Sequence, residues 1–170
     1  MTGRPQEGDA APYYFPYINQ VAGDDILAVI ESQLGDSLTV FAGVSEEISQ
    51  RRYAPDKWSI RQLLNHVTDT ERALAFRALW FSRGFATPLP GYDQNIAAAG
   101  ALADNVLWSA HVEEFRSVRL STISLFRNMP ADGWTRAGVA SDNHVTVQAL
   151  AFIIAGHVAH HVKILRERYL

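Results

Sequence analysis

"IIAGHVAHHVKIL", residues 153–165, sets three histidines, His157, His160 and His161, into an otherwise apolar run. On an α-helix, residues four apart differ by about 40° of rotation and one turn of rise. His157 and His161 therefore leave the same face. Leu150, Ile154, Ile164 and Leu165 lie along that line, so both rings are expected to face a core. Burying two neutral imidazoles without partners costs on the order of a few kcal/mol. Something must satisfy them. The spacing suits one metal ion, and it equally suits core histidines bonded to their surroundings. His160 sits roughly 60° to the side of His157 and is the poorer ligand.

Working outward, the chain carries four long segments of helical period and no sustained period-two alternation, which predicts an all-α protein. The first helix is expected over about 24–44, with Asp24 and Asp25 at its positive end and a stripe of Leu27, Ile30, Leu34, Leu38 and Phe41. "PYYFPYI", residues 12–18, reads as part of an extended N-terminal arm spanning 1–20. The second helix starts at "KWSIRQLLNHV", residues 57–67, where Ser59 and Gln62 fit a capping box, and it stops near Arg83 with Gly84 as a left-handed terminator. The third covers 107–129, with Val112, Phe115, Ile123 and Phe126 inward and Pro130 as its stop. The link 131–145 reads as a polar turn segment. The fourth helix takes Thr146 as N-cap and runs to the C-terminus.

These elements predict a four-helix bundle, up-down-down-up or similar, with long connections after the first and second helices and one domain over residues 1–170. The connection 84–105, rich in Pro, Gly and small residues, is long enough to lie over one end of the bundle and cover a site.

Composition narrows the chemistry. A formal net charge of −3 argues against a nucleic-acid partner, which needs a basic surface to displace phosphate counterions. With no cysteine, disulfides, thiolate metal sites and a cysteine nucleophile are excluded, so a metal must be held by nitrogen and oxygen. The start "MTGRPQEGDAAPYYFPYINQ" lacks the layout of a secretory signal, and no run is expected to span a membrane. A cytoplasmic protein is expected.

On the second helix, His66 shares a face with Leu63, Thr70 and Ala73 at the edge of the apolar stripe. Joined to His157 and His161 it would give three nitrogen donors and leave positions open, the pattern of a catalytic metal site. His111 and His144 read as solvated.

"APDKWSIRQLLNHVTDTER" (54–72), "PLPGYDQN" (88–95), "EEFRSVRLSTISLF" (113–126) and "GHVAHHVKILRERYL" (156–170) together resemble the DinB/YfiT-like superfamily of metal-dependent enzymes, over nearly the whole chain. The resemblance implies a four-helix bundle, often a homodimer, with a divalent metal on three histidines at the positions of His66, His157 and His161. It implies nickel, zinc or manganese as the ion, which nitrogen ligands alone do not discriminate. The chemistry it implies is thiol S-transfer, thiol-dependent isomerisation or hydrolysis of a small molecule. Lacking cysteine, this chain would need an external low-molecular-weight thiol. The alternative is a bundle that binds metal or a small ligand without turnover, as a sensor or stress-related protein; a third is a purely structural bundle whose histidines bond to each other and to backbone.

Two residues are candidates for catalysis. Arg119 interrupts the inward stripe of the third helix, and a buried guanidinium needs a carboxylate. Either it is paired internally, to an acid such as Asp93, or it grips an anionic substrate. Asp93, in "GYDQN" with Tyr92 and Gln94, would orient a ligand histidine, accept a proton or form a plain turn. Trp58 is expected as a hydrophobic staple against the second helix rather than a substrate platform.

Overall fold

The helix starts follow the capping chemistry. In the computed structural model, which describes residues 3–170, the helices are α1 (Phe15–Ile18), α2 (Ile26–Ala42), α3 (Ile60–Ser82), α4 (Gln94–Ala101), α5 (Trp108–Arg127), α6 (Ala131–Thr135) and α7 (Val147–Ile164). A π-helical turn, Leu165–Tyr169, continues α7. Ser59 accepts from the Gln62 backbone N–H while the Gln62 side chain accepts from the Ser59 N–H, the reciprocal box expected at the head of α3. Gly84 ends that helix with φ +85°, and Thr146 caps α7 by accepting from the Ala149 N–H. The cap of α2 is Asp25, which accepts from Ala28 N–H.

The four long helices form a ring in the order α2, α5, α3, α7. Glu31 pairs with Arg127 while Phe41 meets Trp108, so α2 and α5 run antiparallel. Ser59 reaches Asp104 just before α5, Arg72 pairs with Glu114, and Leu79 shares a groove with Leu125, so α3 and α5 run parallel. His66 meets His157 while Leu74 lies beside Ile153, which sets α7 antiparallel to α3. The topology is up-down-down-up. Consecutive helices α2 and α3 stand across the ring from each other, which is why a long connection separates them.

At the centre, α7 is buried without interruption from Ala149 to Val158. Contrary to the expectation from the sequence, Val147–Tyr169 is long and apolar enough, by length and composition, to cross a membrane. Its most apolar stretch is mostly buried against the rest of the protein, and an all-round apolar helix is what a core position requires.

Three local expectations are corrected. The segment 12–18 is not extended: Pro12–Tyr14 is a 3₁₀ turn and Phe15–Ile18 a short helix, each with Pro in its first turn, where the missing N–H costs nothing. The link 131–145 holds α6 and a hairpin, β1 (Ala137–Ala140) antiparallel to β2 (Asn143–Thr146). Ser141 and Asp142 turn it with φ of 53° and 61°, a conformation that Asp tolerates better than most residues. It sits beside the bundle and adds no layer to it. Finally, His111 is not solvated but 2% exposed, its Nε2 donating to the Ala103 carbonyl at 2.9 Å and tying the end of the long connection to α5.

The short α1 is pinned on α7 through Gly156, where an added Cβ would lie 2.1 Å from the Tyr17 carbonyl oxygen. Gly156→Ala gains helix propensity, yet it must push α1 away. A net loss of about 1–3 kcal/mol is expected in urea unfolding, against a gain if the contact were loose.

Candidate metal centre

His66, on α3, and His157, on α7, are both buried, and His161, one turn on, is half-buried. Their Nε2 atoms converge: His66 to His157 is 3.1 Å and His161 to His157 is 3.1 Å. The ligating atoms of the three all lie within 4.8 Å of one another. Nitrogens bound to one ion at about 2.0–2.1 Å stand about 2.8–3.4 Å apart in octahedral or tetrahedral geometry, so the two 3.1 Å distances fit.

Hydrogen bonding among the rings cannot satisfy them. A neutral imidazole offers one donor and one acceptor nitrogen. His157 Nε2 faces both neighbours, so it can serve one of them properly and not the other. His161 Nδ1 is buried and finds no hydrogen-bond partner among the described residues. Thr70 Oγ1 lies 3.4 Å from His66 Nδ1, where it can accept a long hydrogen bond from that ring's N–H, a tautomer that leaves the Nε2 lone pair facing the cluster.

Burial keeps the rings uncharged. It pushes His66 down to about 4 and His161 to about 3, the latter helped by the neighbouring His66 and His160. For His157, burial comes first and the nearby histidines add to it, holding the ring well below the ordinary histidine range. Neutral imidazoles are the form that binds metal.

A pH dependence follows for the metal-free protein. Below about pH 6.5 the unfolded chain protonates these rings while the folded chain does not, so stability is complete above that pH and lost as pH falls. His66 alone should remove about 2 kcal/mol between pH 7 and pH 5, read from urea melts in chelator. A flat profile over that interval would contradict the burial of these rings.

Around the trio, Trp58 packs its ring on His66 with centroids 4.8 Å apart, so it borders the centre. Tyr17 packs edge-on against His157 and His160 at 5.6 and 5.2 Å. Nothing in the local sequence announces Tyr17, because α1 arrives from far along the chain. Thr70 was legible as the i+4 neighbour of His66. His160 lies outside the cluster, as its angle on the helix suggested.

Neither catalytic candidate is one of the three converging rings, although the Arg119 charge is close enough to help hold His157 below the ordinary histidine range. Arg119 is fully buried and pairs with Glu71 at 2.7 Å rather than with Asp93. Its other terminal nitrogen donates to Gln33 Oε1 at 2.9 Å, so both terminal nitrogens have internal partners, while the buried Nε has none among the described residues. Asp93 is exposed and caps α4, accepting from Asn95 and Ile96 N–H at 2.8 and 3.1 Å. From the long connection it is Tyr92 and Gln94 that line a cavity of about 290 Å³ beside His157.

An up-down-down-up bundle with three converging histidines on its second and last long helices defines a class of candidate metalloproteins. The chain belongs to the DinB superfamily, whose family model matches residues 30–165. Among solved structures it is similar to YfiT from Bacillus subtilis, described as a probable metal-dependent hydrolase with an unusual four-helix bundle topology. The match has 16% identity and TM-score 0.70, over 96% of this chain and 90% of that one. It is also similar to the mycothiol-dependent maleylpyruvate isomerase, at 14% identity and TM-score 0.72, covering 86% of this chain but 61% of the isomerase. At these identities the likeness concerns the fold. No curated protein matches the sequence.

Proposed function

We propose that the protein is a metal-dependent enzyme that acts on a small molecule by hydrolysis or S-transfer, with one divalent ion, nickel, zinc or manganese, held by His66, His157 and His161. The observation that carries this reading is the convergence of three Nε2 atoms, two of them on buried rings and the third on a half-buried one, that cannot satisfy one another. The donor set fits such an ion: three neutral nitrogens leave coordination positions open, as catalytic sites do. Bound there, a divalent ion supplies Lewis acidity, which makes a nucleophile available from water or a thiol at neutral pH.

The protein's own residues do the rest. Thr70 and the burial of His66 and His157 hold the rings neutral and oriented. Trp58 and Tyr17 cover two of the rings and keep bulk water off them. The thiol, where one is used, is external, since the chain has no cysteine.

Metal content decides first. Protein purified without added metal, then titrated with zinc, nickel and manganese, should take up one ion per chain and lose it to chelator. Hydrolysis and thiol-transfer substrates are then screened with and without low-molecular-weight thiols. Failure to bind any of the three ions stoichiometrically sinks the reading. Tight binding with no turnover in either screen leaves the sensor alternative standing instead.

A further inference from the structure

Three arginines are buried in this protein, Arg61, Arg77 and Arg119. Two of them have acids: Arg61 pairs with Glu46 and Arg119 with Glu71. Arg77, on α3, is 6% exposed and has no carboxylate within ion-pair distance among the described residues. Its Nη2 donates to the Pro90 carbonyl at 3.1 Å and to Ser141 Oγ at 3.0 Å, both neutral acceptors. A guanidinium held only by neutral partners at the wall of a cavity keeps its charge unmatched. An anion entering the cavity would match it.

The position of Arg77 says where that anion would come from. It lines the cavity of about 290 Å³ that also borders His157, three turns from His66 along the same helix. Among the described residues lining this cavity, Arg77 is the only one with a permanent charge. Tyr13, Tyr17 and Tyr92 supply aromatic walls, and Leu74 and Ile153 an apolar floor. Neutral histidines would leave the full charge of a bound cation uncompensated, so both ends of the cavity favour a negative ligand. The volume is at the lower end of small-molecule sites.

We propose that this cavity is the substrate site and that it takes a small organic carboxylate, its carboxylate on Arg77, its flat apolar body between the tyrosine rings and its reacting end toward His157. A carboxylate matches the planar fork of a guanidinium in two parallel hydrogen bonds. The one guanidinium also matches a single negative charge better than a phosphate dianion. The assignment rests on the enzyme reading of the histidine centre. The anion site itself does not require the ion, and that separates the two by experiment.

Benzoate and its neutral isostere benzamide serve as probes, with binding followed by ligand-observed NMR on the full chain, zinc-loaded and metal-free. Benzoate should bind the wild type at least tenfold more tightly than benzamide in both forms. Arg77→Gln should remove that preference while zinc occupancy stays unchanged, and Arg77→Lys should restore part of it. Equal affinity for the two probes in the wild type overturns the proposal, whatever the variants do. So does benzoate binding that needs zinc and ignores Arg77→Gln, because the carboxylate is then taken by the ion. Tighter binding of inorganic phosphate than of benzoate overturns the carboxylate assignment. Arg77-dependent benzoate binding in a protein that never takes up metal leaves the anion site standing and removes the enzyme reading.

Discussion

Replacing His161 with alanine is expected to leave the bundle folded and to remove stoichiometric metal binding. The imidazole contributes one of the three converging nitrogens, 3.1 Å from His157 Nε2. Taking away a ligand outright should cost more than the roughly 10- to 100-fold that follows loss of a hydrogen-bond partner behind a ligand, so at least a 100-fold rise in Kd is expected. Stability is another matter. The ring is half-buried beside a groove lined by Trp58 and Tyr169, its Nδ1 has no partner among the described residues, and alanine is the better helix former. In chelator, the Tm of His161→Ala should therefore stay within a few degrees of the wild type. If the wild-type ion instead supports folding, as in structural zinc sites, chelation will lower the wild-type Tm to meet that of the variant by a wide margin. Isothermal titration with zinc and thermal melts with and without chelator separate these cases. Unchanged zinc affinity in His161→Ala would falsify the three-histidine centre.

Breaking the Arg119–Glu71 pair should produce the largest loss of stability available from a single polar substitution in this chain. Arg119 is fully buried and Glu71 is 2% exposed. Arg119 also donates to Gln33, whose amide nitrogen donates to the Ala155 carbonyl at 2.9 Å. One polar chain thus crosses all four long helices, from α3 through α5 and α2 to α7, ending two residues before His157. Arg119→Met leaves the Glu71 carboxylate buried and unpaired, and Glu71→Leu leaves the guanidinium so. Either should cost about 3–5 kcal/mol. The double variant removes both charges at once and should be less destabilised than either single. Urea unfolding of the four proteins closes the cycle. Additive losses, with the double variant the worst, would show that the pair is not coupled. The same series tests the substrate-gripping reading of Arg119, which calls for lost substrate affinity in a protein of unchanged stability.

Much of this centre was readable along single helices. The 3.6-residue period places His157 and His161 on one face of α7, and it places His66 at the edge of the apolar stripe of α3. Backbone chemistry marks the ends of the elements, because a side-chain oxygen at Ser59 or Thr146 satisfies amides that the helix itself cannot. Gly84 adopts the left-handed turn that closes α3. Each of these depends on neighbours a few residues away, and those neighbours are written next to each other in the chain.

The departures share the opposite property. The hairpin 137–146 has two four-residue strands with Gly138 among them, too short for alternation to register, and the Ser-Asp turn is not the usual Asn-Gly. Gly138 is required there by the Phe81 ring, against which a Cβ would clash. His111 reads as a polar residue near a helix start, and only the folded connection lays the Ala103 carbonyl over it. Arg119 reads correctly as a buried cation in need of an acid, yet the acid is Glu71 on a parallel neighbour and not Asp93 on a loop.

By itself, then, the sequence determined where the long helices begin and end within a few residues, that His157 and His161 share an inward face, and that His66 lies at the edge of one. Tertiary structure alone decided which side chains meet: Glu71 with Arg119, Trp58 with His66, and Arg77 with a cavity that has no acid for it. The reason is physical. A residue's direction on its helix follows from local geometry, whereas its partner depends on the order and direction of the helices around the ring. That order is set by packing summed over every interface of the bundle at once.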